Sequence, residues 1–191
     1  MARISLDPPR TLFIRVLEWY SRRTYGDVLE PGLALGHNAR VLWADLRFER
    51  AVGKFNKLDP VLKELAVLVA AARIGCSWCM DFGYWEAHRL RISGDKLNAI
   101  PSWREHRELF SDTEVAIMEY AEAMCENTPA VTDEQAARLE GLLGKPAFVE
   151  LTVMVGIENL RSRVNTALGL RSQGFSDRCR VPAAPAASPG Q

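Results

Sequence analysis

The sequence has no excess of charge of either sign and no long uninterrupted apolar run. Its 191 residues contain 24 lysines and arginines against 24 aspartates and glutamates. This balance gives no electrostatic reason to expect nucleic acid or an anionic membrane as a partner. The longest strongly apolar run, residues 65–72, is too short to span a bilayer, and the N-terminal residues lack the apolar segment of a signal peptide. We therefore expect a cytoplasmic protein that binds neither nucleic acid nor a membrane.

The sequence also lacks alternating apolar and polar runs bounded by hairpin turns, so it does not predict a β-sheet. Signals for helices recur instead, as pairs of residues that cap a helix or suit its first turn. These pairs are Asp59 with Pro60, Ser111 with Glu114, and Thr132 with Gln135. We predict an all-α protein, a helical bundle in a single domain over residues 1–175, followed by a disordered tail rich in proline and alanine over residues 176–191.

Cysteine is scarce, with four in the chain, but Cys76 and Cys79 stand three positions apart in the stretch GCSWCMDFG. In the cytoplasm such a pair is more often catalytic or metal-binding than a structural disulfide. A structural zinc site needs about four ligands, and the remaining cysteines and histidines are all singly placed. Haem attachment needs a histidine directly after the second cysteine, where Met80 stands. We therefore predict no metal and no cofactor, which leaves a redox-active pair or two buried cysteines that happen to be close.

The redox interpretation depends on where the cysteines fall relative to the helix ends. Residues 60–74 are apolar on nearly all sides, as in a buried helix, and Gly75 can end that helix in a left-handed conformation. A new helix then begins near Cys76 or Ser77. Thiols at a helix N-terminus ionise more readily, because free N–H groups and the helix dipole stabilise the thiolate. Two such thiols, one attacking and one resolving, stop oxidation at a reversible disulfide.

The segment from Glu64 to Asp81, ELAVLVAAARIGCSWCMD, resembles the core of the carboxymuconolactone decarboxylase and alkylhydroperoxidase D-like family. The specific part of the resemblance is a glutamate twelve residues before the first cysteine of a CxxC pair. The resemblance implies an all-helical fold, assembly into trimers or hexamers, and reduction of peroxides or partner disulfides by the cysteine pair. It also implies a proton relay with a histidine four residues after the second cysteine, but that position is Gly83.

Within this scheme the resemblance implies that Cys79 attacks first, that Cys76 resolves and that Glu64 acts as the base. The helix dipole alone favours Cys76 as the attacking thiol, because it lies nearer the helix start. Glu64 stands among apolar residues, where burial moves the pKa of a carboxyl group toward the range of a useful general base. The alternative for Glu64 is an ion pair with a nearby lysine or arginine.

Three further residues are candidates for auxiliary roles. Tyr84 could position a water beside Gly83, Asp81 could be a cap-region charge that stabilises the helix start, and Trp78 could cover a sulfur or pack in the core. The three histidines, His37, His88 and His106, are all placed away from the relay position in sequence.

These patterns predict a thiol-dependent peroxidase or disulfide reductase. Its substrate would be a peroxide or a disulfide, and a thiol reductant that the sequence does not identify would restore the pair. Two alternatives stay open. One is a non-catalytic or redox-sensing protein that has lost the relay histidine, and the other is a decarboxylase or other lactone-handling enzyme of the same fold.

Overall fold

The structure, a computed structural model, describes residues 2–128 and 130–179. Within these ranges α-helices and 3-10 segments follow one another without a β-strand, which confirms the all-α prediction. None of the described helices is long and apolar enough to cross a membrane. The elements are α1 (Leu12–Tyr25), α2 (Glu30–Leu35), α3 (Ala39–Val52), α4 (Pro60–Ile74), α5 (Ser77–Arg89), α6 (Gly94–Ala99), a 3-10 segment (Ile100–Leu109), α7 (Asp112–Cys125), α8 (Asp133–Leu143), α9 (Lys145–Ala167) and a second 3-10 segment (Ser176–Cys179).

Helix starts follow the capping residues that the sequence contains. The Asp59 carboxylate accepts the N–H groups of Val61 and Leu62 at 2.8 and 3.2 Å, and α4 begins at the next residue. Ser111 and Thr132 each form a complete capping box at the start of α7 and α8. Such caps satisfy N–H groups that have no partner within the helix, and each typically contributes about 1 kcal/mol.

Helix α4 lies at the centre of the bundle, packed against α5, α7 and α9. Its residues 65–71 are all buried, so over two turns no face of the helix reaches solvent. Leu65 and Leu68 are fully buried, and truncating such a leucine to alanine generally costs about 2–5 kcal/mol. Helix α4 is therefore a rigid base that fixes the position of Glu64 near its start and of Gly75 at its end.

The C-terminal segment of the described chain packs back onto α5. The 3-10 segment that begins at Ser176 contacts α5, and the predicted boundary after residue 175 stays a prediction. Residues 180–191, which make up most of the predicted tail, lie outside the described residues.

Candidate active site

The cysteine pair lies at the junction of α4 and α5. Gly75 ends α4 with a φ of +83° and donates its N–H to the carbonyls of Ala71 and Ala72. A left-handed φ of this size strains any residue with a Cβ, which explains the glycine. Cys76 follows in an extended conformation as the N-cap of α5. The predicted boundary between two helices at this point is therefore confirmed.

The sulfur of Cys76 takes the place of a capping oxygen. Its Sγ accepts the N–H of Cys79 at 3.2 Å, at the start of a 13-residue helix. The two cysteines are joined as a disulfide, with their Cα atoms 5.3 Å apart. When the disulfide is reduced, this N–H and the helix dipole would favour the thiolate form of Cys76.

A pocket of about 410 Å³ opens beside the disulfide. Met80, Tyr84, Pro101 and Ser172 line it together with Cys76. Of the two cysteines it is Cys76 that contributes to this lining, and the lining is mainly apolar. A mainly apolar pocket with some polar side chains suits a small organic molecule that must approach the sulfurs.

Cys79 contacts α9. The side-chain amide of Asn165, which is itself buried, donates to Cys79 Sγ at 3.5 Å. An N–H donor directed at sulfur stabilises a negative charge there. Both cysteines therefore have a polar N–H group aimed at the sulfur, one from the backbone of α5 and one from a side chain of α9.

Glu64 approaches α5 at Gly83, one helical turn beyond Cys79. A Cβ atom placed on Gly83 would lie 3.2 Å from Glu64 Oε1 and 2.7 Å from Leu68 Cδ2. Residues four apart lie on one face of a helix, so Cys79 and Gly83 face the same side. The space that a side chain at position 83 would need is thus already occupied by the Glu64 carboxyl group and by a core leucine.

The alternative to a catalytic role for Glu64 was an ion pair with a nearby lysine or arginine. The described part of the chain contains no such ion pair. Lys63 pairs with Glu150 and Arg73 pairs with Glu126. Among the residues that the structure describes, none forms a hydrogen bond or an ion pair with Glu64. Burial, followed by the negative charges of Glu86 and Glu158, raises the pKa of Glu64 to about 8.

A buried carboxyl group that the sequence analysis missed lies on α9. Glu158 on α9 is 2% exposed, and Ser162 Oγ donates to its Oε1 at 2.6 Å. Burial raises the pKa of Glu158 to about 7, although the Ser162 hydrogen bond and the Arg161 charge oppose the shift. The signal was in the sequence: Glu158, Ser162 and Asn165 recur at the spacing of one helix face within a mostly apolar segment.

Asp81 does not act as a cap-region charge of α5, which corrects the prediction. Its Oδ2 accepts the backbone N–H groups of Gln173 and Phe175 at 2.8 and 3.0 Å. Its Oδ1 accepts both the N–H and the Oγ–H of Ser176 at 2.8 and 2.7 Å. Burial alone would raise the pKa of Asp81, but these hydrogen bonds outweigh it and hold the pKa below its ordinary value. Asp81 therefore binds the C-terminal segment of the described chain to α5, two residues after Cys79.

The other two auxiliary candidates occupy different surroundings. Trp78 is buried, stacks on Phe82 with ring centroids 5.2 Å apart, and donates its indole N–H to Gln173 Oε1 at 2.7 Å. Tyr84 is partly buried and lines the pocket beside Cys76, and burial raises the pKa of its hydroxyl. Trp78 thus packs against the C-terminal segment, whereas Tyr84 borders the space in front of the disulfide.

No histidine of the chain enters this site. His37, His88 and His106 are all exposed, and His37 is bonded to the Ser5 carbonyl at 2.8 Å. In the part of the chain that the structure describes, no three histidine, cysteine, aspartate or glutamate residues are arranged to hold a metal ion.

Replacing Asp81 with asparagine is expected to lower the free energy of unfolding by about 2 kcal/mol, because hydrogen bonds to a charged group contribute roughly 1.5–3 kcal/mol. The folded-state pKa of Asp81 is lowered, so this stabilisation is present above the unfolded-state pKa and is lost as the pH falls through the folded-state pKa. Urea unfolding at neutral pH and below about pH 4 should show a difference that shrinks in acid. Exposed Asp95→Asn is the control, and an unchanged stability of the Asp81 variant at neutral pH would contradict the assignment.

The fold and the site together define an all-helical protein with a CxxC disulfide at the N-terminus of a helix. The carboxymuconolactone decarboxylase family model matches residues 39–123. The uncharacterized protein YnjA of Escherichia coli (strain K12) is 35% identical over 175 residues, which cover 90% of this chain and 92% of that protein. The chain belongs to the carboxymuconolactone decarboxylase family.

Solved structures show the same fold at lower sequence identity. An uncharacterized peroxidase-related protein from Silicibacter sp. TM1040 is 12% identical with a TM-score of 0.82, covering 94% of this chain and 96% of the other. A peroxidase-related protein from Ralstonia eutropha JMP134, described as an alkylhydroperoxidase AhpD core, is 17% identical with a TM-score of 0.79 and coverages of 95% and 97%. The debrominase Bmp8 in complex with 2,3,4-tribromopyrrole is 15% identical with a TM-score of 0.78 and coverages of 94% and 97%. One of these neighbours is described as a debrominase and two as peroxidase-related, so the fold alone does not assign a substrate.

Proposed function

We propose that this protein is a thiol-dependent peroxidase or disulfide reductase that cycles Cys76 and Cys79 between dithiol and disulfide. The observation that carries the proposal is the position of the pair at the start of α5, where Cys76 Sγ accepts the Cys79 N–H and borders an apolar pocket. A helix N-terminus lowers the pKa of a thiol and so raises its reactivity at neutral pH. The peroxidase-related descriptions of two structural neighbours agree with this assignment.

In the proposed reaction Cys79 attacks as a thiolate after Glu64 takes its proton. The sulfur bonds to one oxygen of a hydroperoxide, the O–O bond breaks, and Cys79 becomes a sulfenic acid. The leaving alkoxide takes the proton back from Glu64 and departs as an alcohol. The thiol of Cys76 then displaces water from the sulfenic acid and forms the disulfide. An external dithiol supplies the two electrons that restore both thiols by exchange.

Turnover of cumene hydroperoxide with dithiothreitol as reductant tests this function. The wild type is expected to consume the peroxide, and Cys79→Ser to be inactive. Cys76→Ser should trap a sulfenic acid on Cys79, because the resolving thiol is gone. Cys125→Ser, which changes a buried free cysteine on α7, should be as active as the wild type. A sulfenic acid trapped on Cys76 instead would assign the first attack to the pocket-lining cysteine, and no peroxide consumption would contradict the peroxidase function.

A screen of lactone substrates, together with the peroxide turnover, distinguishes the two alternatives. A lactone-handling or decarboxylase activity would survive replacement of both Cys76 and Cys79 by serine, since it does not use the pair. A redox-sensing protein would form the disulfide once but would not turn over with a dithiol. If the protein exchanges with a disulfide substrate but does not consume peroxide, it is a disulfide reductase and not a peroxidase.

We also propose that the protein assembles as a homo-oligomer, a trimer or a hexamer. Exposed apolar side chains recur along α1, where Leu12, Val16, Trp19 and Tyr20 are 77%, 53%, 66% and 53% exposed. Exposed apolar side chains that share one helix face mark a surface that is covered by another protein. A second copy of the chain is the partner that we propose, and light scattering of the purified protein measures its molar mass.

A further inference from the structure

The side chain of Asn165, near the end of α9, is buried against the disulfide. Asn165 is 5% exposed, and the Cys79 sulfur that it contacts belongs to a core cluster with Ala71, Trp78 and Leu170. Burying an amide in such surroundings costs free energy unless the amide has a hydrogen-bond partner. Among the described residues the Asn165 side chain has one such partner, Cys79 Sγ, at 3.5 Å. The contact with sulfur is therefore what this polar side chain provides in the core.

The way in which α9 ends fixes the position of Asn165. Gly169 has a φ of +71°, and its N–H donates to the carbonyl of Thr166 at 3.1 Å. The next N–H, that of Leu170, donates to the carbonyl of Asn165 at 2.9 Å. These two bonds form a Schellman motif, which needs a left-handed residue where the glycine lies. The Arg3 guanidinium group donates to the Thr166 carbonyl at 2.8 Å, so the last turn of α9 is also held from the N-terminal segment.

The two sulfurs of the pair receive different kinds of donor. Cys76 Sγ accepts the backbone N–H of Cys79 at 3.2 Å, a group that does not depend on the side chain at position 79. Cys79 Sγ accepts the side-chain amide of Asn165. A disulfide or thiolate sulfur carries no proton and can only accept, and a hydrogen bond to it becomes stronger as it gains negative charge. A neutral amide does not titrate near neutral pH, so this donor is present throughout the physiological range.

The pocket beside the pair determines which sulfur an external thiol meets. Cys76 contributes to the lining of the pocket, so a thiolate that enters it forms a bond with Cys76 Sγ. The Cys76–Cys79 bond breaks, and its electron pair leaves with Cys79 as a thiolate. The second thiol of the same dithiol then displaces Cys76, and the two protons of the dithiol pass through water to the cysteines. A thiolate that is stabilised leaves faster, and Asn165 is the side-chain donor at the leaving sulfur.

We propose that Asn165 is a catalytic residue that stabilises the thiolate of Cys79, both when Cys79 attacks the peroxide and when it leaves during reduction of the disulfide. The inference deepens the proposed function and rests on it. In the attack, the amide N–H holds the negative charge on Cys79 after Glu64 has taken the proton. In the reduction, the external thiol bonds to Cys76, and the same N–H receives the charge that returns to Cys79.

The test measures the reactivity of Cys79 in the reduced full-length protein without peroxide. Alkylation by iodoacetamide at a series of pH values, read residue by residue by tandem mass spectrometry, follows the thiolate of each cysteine. Asn165→Leu keeps a branched side chain of similar shape but removes the donor. It should raise the midpoint at Cys79 by about one pH unit and lower Cys79 alkylation relative to Cys76 about tenfold below the midpoint.

Two further measurements support the alkylation profile. Asn165→Ala should shift the Cys79 midpoint in the same direction, which covers the case in which leucine does not fit. Reduction of the oxidised Asn165→Leu protein by dithiothreitol should be slower than reduction of the wild type, because the leaving thiolate has lost its donor. Several titratable or charged groups on the elements around the site remain in every variant: Cys76, Asp81, Glu64, Glu158, Arg161 and Arg3.

Asn159 provides a matched control on the same helix. Its side-chain amide donates to the sulfur of Cys125 at 3.2 Å, so Asn159→Leu should leave the Cys79 midpoint unchanged. An unchanged Cys79 midpoint in folded Asn165→Leu and Asn165→Ala, an equal shift in Asn159→Leu, or an unchanged rate of reduction would overturn the proposal while leaving the proposed function intact. Conversely, a shifted midpoint and slower reduction in a protein whose wild type turns over neither peroxide nor disulfide would support the role of Asn165 and contradict the proposed function.

Discussion

Histidine at position 83 is expected to destabilise the protein by about 3 kcal/mol and not to improve its redox chemistry, although it completes the motif that the sequence resembles. The Cβ atom alone would lie 2.7 Å from Leu68 Cδ2, and Leu68 is fully buried. Overpacking of this kind generally costs about 1–3 kcal/mol, and the imidazole ring adds to it. The ring would also displace Glu64, and a displacement of about 1 Å at a catalytic group can slow a reaction on the order of 100-fold.

Urea unfolding and the rate of peroxide-driven thiol loss measure the two effects of Gly83→His. Gly141→Ala is the control, since a Cβ there meets nothing within 4 Å, and alanine in a helix should raise stability by about 0.5–1 kcal/mol. Combining Gly83→His with Leu68→Ala should recover part of the loss, with a coupling of about 1 kcal/mol or more between the two sites. A Gly83→His variant that is as stable as the wild type and reacts faster would show that the space beside Glu64 is free.

Replacing Glu64 with glutamine is expected to slow the peroxide-driven loss of thiols about 100-fold, because a positioned general base contributes roughly 10²–10⁴-fold. Glutamine has nearly the same shape but cannot accept the Cys79 proton. Stopped-flow or quenched single-turnover oxidation with cumene hydroperoxide measures the rate. Glu114→Gln is the control, because Glu114 is a buried glutamate that pairs with Lys96 at the start of α7, away from the cysteines in sequence.

The same Glu64→Gln variant should become more stable than the wild type as the pH rises. The folded-state pKa of Glu64 is raised to about 8 from an ordinary value of 4.5, so the wild type loses stability as the pH rises between these values. Glutamine does not titrate, and the difference in unfolding free energy should therefore grow from pH 5 to pH 8. If the oxidation rate and the pH dependence of stability in Glu64→Gln both equal those of the wild type, Glu64 does not act as a buried base at this site.

Local signals allowed much of the fold and the centre of the site to be predicted from the sequence. Asp59 and Pro60 set the start of α4, and Gly75 set its end, because capping and left-handed backbone depend on adjacent residues. The position of Cys76 at the following helix start came from the same reasoning. Glu64 was identified through its spacing from Cys76 in a known type of motif.

Other parts of the site depend on contacts between residues far apart in the chain, which local patterns do not contain. Asp81 looked like a charge near a helix start, but its partners lie at Gln173, Phe175 and Ser176. The reason why position 83 is a glycine depends on the packing of α4 on α5. Only the structure shows that Glu64 Oε1 and Leu68 occupy the space beside Gly83. Glu158 could have been found from its spacing to buried polar neighbours, but a charge in a helix is usually solvated.

We propose that Cys76 and Cys79 form a working redox pair without a histidine. The most direct test adds one equivalent of cumene hydroperoxide to fully reduced wild-type protein, counts free thiols and maps the peptides. We expect the loss of two thiols as a Cys76–Cys79 disulfide, formed faster than free cysteine is oxidised and reversed by dithiothreitol, while buried Cys125 stays reduced. No loss, or loss confined to Cys125 or Cys179, would contradict it.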